Sequence, residues 1–230
     1  MKKFIVIGLG SFGLNLSKTL VANDCEVLGM DTDRELVQHA KDYISHAIIG
    51  DASNKEVLES LALKDFDAAI ISIGGDDPAP SLLIAMYLKE IGIPRIIVRA
   101  ISEDHGKILK MIGVSDVLYP EKEMAERLAN TLSLKNALDY LPISDEYGII
   151  EVPPPESFIG KSIKDLQIST RFGCQIIGLK TPGKNGNPDD LSDNNFFIKI
   201  APAASDVIVQ KSVMIVIGKH SDIERIQSLQ

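Results

Sequence analysis

The residues that could do chemistry gather early in the chain. Gly8-x-Gly10-x-x-Gly13 follows the apolar run Phe4-Ile-Val-Ile, and each glycine in such a spacing has a physical job: a tight turn, a close backbone approach to a pyrophosphate, and close packing of the next helix on its sheet. The helix beginning near Phe12 would turn its free N–H groups and positive dipole end toward phosphate oxygens, with Ser11 and Phe12 at its mouth. A second apolar run, Glu26-Val-Leu-Gly-Met, ends at Asp31, roughly the ~20 residues downstream at which a carboxylate meets a ribose hydroxyl. Asp31 and Asp33 would accept hydrogen bonds from that sugar and repel a 2′-phosphate, which favours NAD-type or simple adenine ligands over NADP.

The same sequence lacks the partners that bond-making needs. A nicotinamide dehydrogenase requires an acid or base placed against its substrate. Of His39, His46, His105 and His220, only His105 falls just beyond the carboxyl end of an expected strand. No lysine of the phosphate-loop type follows Gly13, so nucleotide hydrolysis has no evident machinery. Cys25 and Cys174 form no ligand spacing and are expected reduced. This combination reads as a nucleotide sensor rather than an enzyme, with an NAD-dependent oxidoreductase as the alternative.

The elements that must position these groups alternate regularly. Strands are expected at 3–7, 26–30, 45–49, 68–73, 95–99 and 116–119, and helices at 12–23, 33–40, 53–63, 78–90 and 104–112. Ser53 and Glu56 read as a capping box. Repeated βαβ units imply a Rossmann-like, doubly wound parallel sheet, whose ligands lie beyond the carboxyl ends of the strands. Those ends are Gly8–Gly10, Asp31–Asp33, Asp51–Ala52, Ile73-Gly74-Gly75 and Arg99–Ala100.

Beyond the sheet, 120–141 reads as a long helical stretch, broken at Ser133, with Met124, Leu128, Leu132, Leu134, Leu138 and Leu141 apolar. Its wide apolar face either packs back on its own domain or is exchanged between subunits. A polar hinge is expected at 142–146. A smaller α+β domain then follows to residue 230, with a mixed sheet, a loop over 181–195 and a closing helix capped by Ser221-Asp222. The division expected is therefore 1–119, 120–141 and 142–230.

Composition narrows the class. The 230 residues carry a formal net charge of −8, which argues against nucleic acid or an anionic membrane as the main partner. No apolar run reaches the roughly 18 residues of a membrane helix, and no signal-peptide pattern precedes the first strand, so a cytoplasmic location is expected.

Several motifs together resemble one family. Val6-Ile-Gly-Leu-Gly-Ser-Phe-Gly13, Asp31-Thr-Asp33, Ala69-Ile-Ile-Ser-Ile-Gly74, Ser81-Leu-Leu83, Leu88-Lys-Glu90, Tyr119-Pro-Glu-Lys-Glu-Met124, Ser144-Asp-Glu-Tyr147 and Phe172-Gly-Cys174 are similar to those of the regulator of potassium conductance domains in the KtrA/TrkA family, KtrA-like members being the nearer match. The resemblance implies crossover dimerisation helices at 120–141 and homodimers assembling into an octameric ring. It also implies a potassium-translocating membrane subunit as partner, the ring lying peripheral at the inner face of the membrane. ATP would favour the active form and ADP the inactive one, with NAD(H) bound by TrkA relatives.

Position by position, the resemblance implies Asp31, Thr32 and Asp33 at the ribose and Asp51 and Ala52 near the adenine. Ile73, Gly74, Gly75, Arg99 and Ala100 would line the pocket, with His105 near the terminal phosphate. Glu121 would hold a divalent cation or sodium; on sequence alone it is a first-turn acid complementing a helix dipole. Closer KtrA sequences carry arginine at Ser11, where it helps hold the ATP γ-phosphate, so the expectation moves toward ADP or NAD. Cyclic di-AMP, bound by many relatives at the C-terminal dimer interface, loses one arginine at Ser169, with Arg171 two residues on.

Overall fold

The computed structural model describes residues 1–133, 137–144, 146–182 and 196–229. The chain forms two compact units, Met1–Pro120 and Glu121–Gln230.

In the first unit, strands β1 (Lys3–Ile7), β2 (Glu26–Asp31), β3 (His46–Ile49), β4 (Ala68–Ile71), β5 (Ile96–Arg99) and β6 (Asp116–Leu118) make one parallel sheet in the order β3-β2-β1-β4-β5-β6. All four residues of β4 are buried, as a central parallel strand covered on both faces requires. Alternate residues separate two cores. Val6, Val27 and Ile70 face the helices α1 (Ser11–Ala22) and α2 (Arg34–Ala40), while Ile5, Ile7, Ala69, Ile71 and Val98 face α3 (Lys55–Glu59), α4 (Ala79–Ile91) and α5 (Glu103–Ile112). The doubly wound expectation therefore holds.

Helix ends follow local chemistry. Asp33 caps α2 by accepting from the Glu35 N–H, and Ser102 caps α5 by accepting from the His105 N–H. Helices α4 and α5 both end on left-handed glycines, Gly92 and Gly113. For α3 the cap is Asn54, accepting from Glu56 N, not Ser53. The chain turns one residue later because Ser53 N–H is already given to the Asp51 carboxylate.

The second unit departs further from expectation. Helix α6 (Pro120–Ser133) ends at Ser133, and Asp139–Pro142 is a strand, β7, rather than a continuation of the helix; Leu134 lies outside the described residues. The cause is tertiary. Tyr140 is buried to 3% exposure among Ile150, Phe158 and Met214, and β7 pairs antiparallel with β8 (Tyr147–Val152). Pro142 ends an edge strand, where its missing N–H is harmless. The expected hinge is the hairpin turn itself, closed by Ile143 and Ser144 N–H groups donating to the Tyr147 carbonyl.

Strands β9 (Gln175–Pro182), β10 (Phe196–Ile200) and β11 (Val213–Lys219) complete a sheet ordered β10-β9-β11-β8-β7. Every pairing in it is antiparallel, not mixed. Of the loop expected at 181–195, Thr181 and Pro182 belong to β9 and the rest lies outside the described residues. Two short helices, α7 (Ile163–Leu166) and α8 (Ile168–Phe172), precede β9; the second was not foreseen. Val207–Val209 contributes one bridge, from Val207 to Ser162, instead of a sheet strand. The closing helix α9 (His220–Gln227) starts at His220 after Lys219, not after Ser221-Asp222. Cys174 is buried, and burial pushes its thiol up to about 11, so it stays protonated and unreactive.

The hairpin assignment is open to a direct test. A Cβ on Gly148 would stand 2.6 Å from the Tyr140 ring, so Gly148→Ala is expected to destabilise the second unit by about 1–3 kcal/mol. Thermal unfolding would measure it; a silent substitution would place Tyr140 elsewhere.

Candidate functional site

The sheet order reverses between β1 and β4, the point beyond whose strand ends ligands of such sheets are held. The glycine turn leaves β1 at this point. Gly8 has φ +95°, and a Cβ there would stand 2.9 Å from the backbone of Ser72 and Ile73. A Cβ on Gly13 would meet the Gly8 carbonyl oxygen at 1.9 Å, so nothing larger lets α1 pack this closely. Gly10 is different: a Cβ would find nothing within 4 Å. Its backbone faces open space, where a pyrophosphate could approach. Helix α1 begins there with no side-chain cap and no acid in its first turn, and Ser11 is exposed. Its first N–H groups are thus left uncapped by a side chain of the helix itself, at the positive end of its dipole.

Two side chains pin the turn from opposite strands. The Asp31 carboxylate accepts from Leu9 N–H through Oδ2 at 2.7 Å and from Asp33 N–H through Oδ1 at 2.9 Å. Each oxygen keeps a further lone pair for a ligand hydroxyl. From β4's end, the Ser72 hydroxyl donates to the Gly8 carbonyl at 2.6 Å, and Ser72 is buried. Ser17 in α1 likewise donates to Gly13 O at 2.7 Å. Neither serine was singled out from sequence. The signal for Ser72 was present, a hydroxyl inside the otherwise apolar run Ala68-Ala-Ile-Ile-Ser-Ile.

The remaining rim follows the strand order. Thr32 and Asp33 are exposed after β2, and Asp51 is exposed after β3 with Ala52 buried behind it. Gly50 N–H donates to the Asp31 carbonyl, tying those two ends together. After β4 come half-buried Ile73 and exposed Gly74 and Gly75. After β5, Arg99 lies over Gly74: a Cβ on that glycine would stand 3.8 Å from the guanidinium Nη1. Ala100 is buried. The structure thus brings the expected glycine, aspartate and arginine positions to one edge of the first sheet.

His105, expected near a terminal phosphate, lies in the first turn of α5. It is 3% exposed, and both ring nitrogens are taken within the protein. Burial holds its pKa below the usual histidine value. Glu121 is an exposed residue in the first turn of α6, and among the described residues no group of three or more His, Cys, Asp or Glu stands together as a metal cluster. No described helix is long and apolar enough to cross a membrane.

The model of the TrkA-N domain matches residues 4–120. Ktr system potassium uptake protein C of Bacillus subtilis (strain 168) is 36% identical over 226 residues, covering 98% of this chain and 96% of its own length. Protein A of the same system and organism is 35% identical over 227 residues, covering 99% and 96%. Among solved structures, the GsuK RCK domain superposes with a TM-score of 0.66 at 17% identity, over 99% of this chain and 47% of that one. A GsuK channel bound to NAD superposes at 0.54 and 19% identity, over 100% and 38%.

Two outcomes are expected at this site. Gly13→Ala should destabilise the first unit by about 1–3 kcal/mol, whereas Gly10→Ala should leave stability nearly unchanged; chemical denaturation of both variants checks the contrast. His105 is held neutral in the folded chain, while the unfolded chain takes up a proton near pH 6.5. Its contribution is therefore complete above about pH 6.5 and is lost as pH falls below it, at no more than about 1.4 kcal/mol per pH unit. His105→Gln should flatten that acid-side decline in unfolding free energy.

Proposed function

The chain belongs to the TrkA-N domain family and, by near full-length likeness, to the Ktr potassium uptake proteins, and from that membership we propose that it is a regulatory subunit of a potassium transport system. On this reading it binds an adenine nucleotide along the carboxyl edge of the first sheet and conveys the binding to a potassium-translocating membrane partner, without making or breaking bonds itself. It works on the cytoplasmic side, at the inner face of the membrane through that partner.

One observation carries the reading. The Asp31 carboxylate and the open backbone at Gly10 flank the same turn, so a ribose on one side and a pyrophosphate on the other can be held at once. Asp51 and Ala52 would border the adenine, and Ile73, Gly74, Gly75, Arg99 and Ala100 the far wall. With Ser11 and Phe12 rather than a cation at the phosphate end, ADP or NAD(H) suits the pocket as well as ATP does. Asp31 and Asp33 would oppose a 2′-phosphate.

Assembly belongs to the same proposal. No residue of α6 is buried, and Met124, Leu128 and Leu132 are 60%, 56% and 76% exposed. They lie four residues apart, one stripe down the helix. That stripe supports a crossover dimer in which α6 is the exchanged segment, residues 139–142 belonging as β7 to the second unit. Dimers would build the ring that gates the pore. A divalent cation or sodium would sit at Glu121 only across such a dimer. Cyclic di-AMP would have Arg171, stacked 5.1 Å over Phe172, but serine at 169.

Calorimetric titration with ATP, ADP, NADH and NADPH tests the pocket. At least one of the first three should bind, NADPH more weakly than NADH, and Asp31→Asn should weaken that binding about tenfold or more by presenting an N–H where an acceptor is needed. A chain that binds none of them, or that turns NADH over with a metabolite, would end this reading.

A further inference from the structure

One peptide unit of the glycine turn is held at both ends by side chains that follow different strands. The Gly8 carbonyl and the Leu9 N–H belong to the same rigid plane. The carbonyl accepts from the Ser72 hydroxyl, just beyond β4, at 2.6 Å, and the N–H donates to the Asp31 carboxylate, at the end of β2, at 2.7 Å. The Ile7 carbonyl lies farther from the same hydroxyl, at 3.2 Å, so the single proton goes to Gly8. Gly8 itself has φ +95°, and a glycine leaves the plane that follows it free to rotate unless something holds it. Ser72 is 4% exposed. Helix α1 closes over its bond: a Cβ on Gly13 would stand 1.9 Å from the Gly8 oxygen and 2.5 Å from Ser72 Oγ, which leaves no space on that side for a water to take the hydroxyl's place.

We propose that Ser72 is a positioning residue for the phosphate end of the pocket: by holding the Gly8 carbonyl it sets the peptide plane that leads into Gly10, whose open backbone a diphosphate would approach. The proposal rests on the nucleotide reading above and adds a buried residue that the ligand need not touch. The two ends of the plane are not equivalent. Asp31 accepts from the Asp33 N–H as well as from that of Leu9, so the ribose side stays ordered when the carbonyl side is released. On the carbonyl side, loss of the Ser72 hydroxyl takes the donor from a buried oxygen, and the plane turns toward whatever donor or water it can reach. The Gly10 backbone and the first turn of α1 then leave the positions from which they would meet a phosphate, and charge-assisted hydrogen bonds weaken steeply as their geometry is lost.

The test uses the full chain and compares a ligand that has phosphates with one that has none. ADP, ATP and NADH are titrated calorimetrically, adenosine is measured by its displacement of whichever of them wild type binds, and thermal unfolding is followed in parallel. Ser72→Ala should weaken the bound nucleotide by about tenfold and adenosine by less than about twofold, at temperatures where the variant stays folded. Asp31→Asn, the control on the ribose side, should weaken both. Ser72→Cys fills the same space with a weak donor and repeats the comparison should Ser72→Ala not fold; it should show the same phosphate-selective loss in smaller degree. Equal losses for nucleotide and adenosine, or a lower melting temperature with both affinities unchanged, would leave Ser72 a stability element only and overturn the proposal. Failure of wild type to bind any of the three nucleotides would instead remove the nucleotide reading beneath it.

Discussion

The structure depends on a close approach: the backbone of the turn after β1 passes so near the end of β4 and the start of α1 that side chains are excluded from it. A carbonyl buried that way must be satisfied, and the Gly8 oxygen is, by the hydroxyl of Ser72. The amide of Leu9 faces the opposite way and is satisfied by Asp31. The turn is thus held by neighbours on both sides, one neutral and one charged, across the point where the sheet reverses direction. With the turn fixed, α1 is aimed and its first N–H groups are exposed to whatever enters the crevice.

Asp31 illustrates how one carboxylate serves fold and site together. Two backbone N–H donors already occupy it, which orients its oxygens and keeps their remaining lone pairs facing the crevice. On the proposed reading, a ligand hydroxyl would meet an acceptor that need not be reorganised on binding. Asp51 does similar local work, taking the Ser53 N–H, and the amide of Gly50 reaches back to the Asp31 carbonyl. The acidic side of the rim is rigid for this reason.

The first unit was legible in the sequence because its physics is local and repetitive. The central strands β1 and β4 are apolar runs buried along the sheet, the turns after β1, β2 and β4 begin with glycine, aspartate or serine, and the glycine spacing fixes the first turn by exclusion alone. The second unit was less legible because long-range packing overrode the local pattern. Leu138 and Leu141 fall at helical spacing from Leu134, yet the residue between them, Tyr140, is the one the core captures, and Gly148 on β8 leaves room for its ring. Nothing within residues 120–141 announces that partner. The role of Ser72 escaped for a related reason: a buried hydroxyl is legible only when its acceptor is known, and its acceptor, the Gly8 carbonyl, lies far away in sequence.

His105 lies beside the rim with its ring turned into the protein. Sequence order places it one turn into the helix after β5, next to the rim, and charge considerations alone would send an imidazole there toward a phosphate. Burial decides otherwise. A ring at 3% exposure with the Ile101 amide on one nitrogen cannot become a cation without breaking that bond, so it offers a phosphate no charge. What it offers is geometry: an uncharged ring bonded through both nitrogens, to the Ile101 amide and to Ser81 in the first turn of α4. The positive character of that wall then falls to Arg99 and to the dipole end of α1. These lie on opposite sides of the switch point, α1 following β1 and Arg99 ending β5.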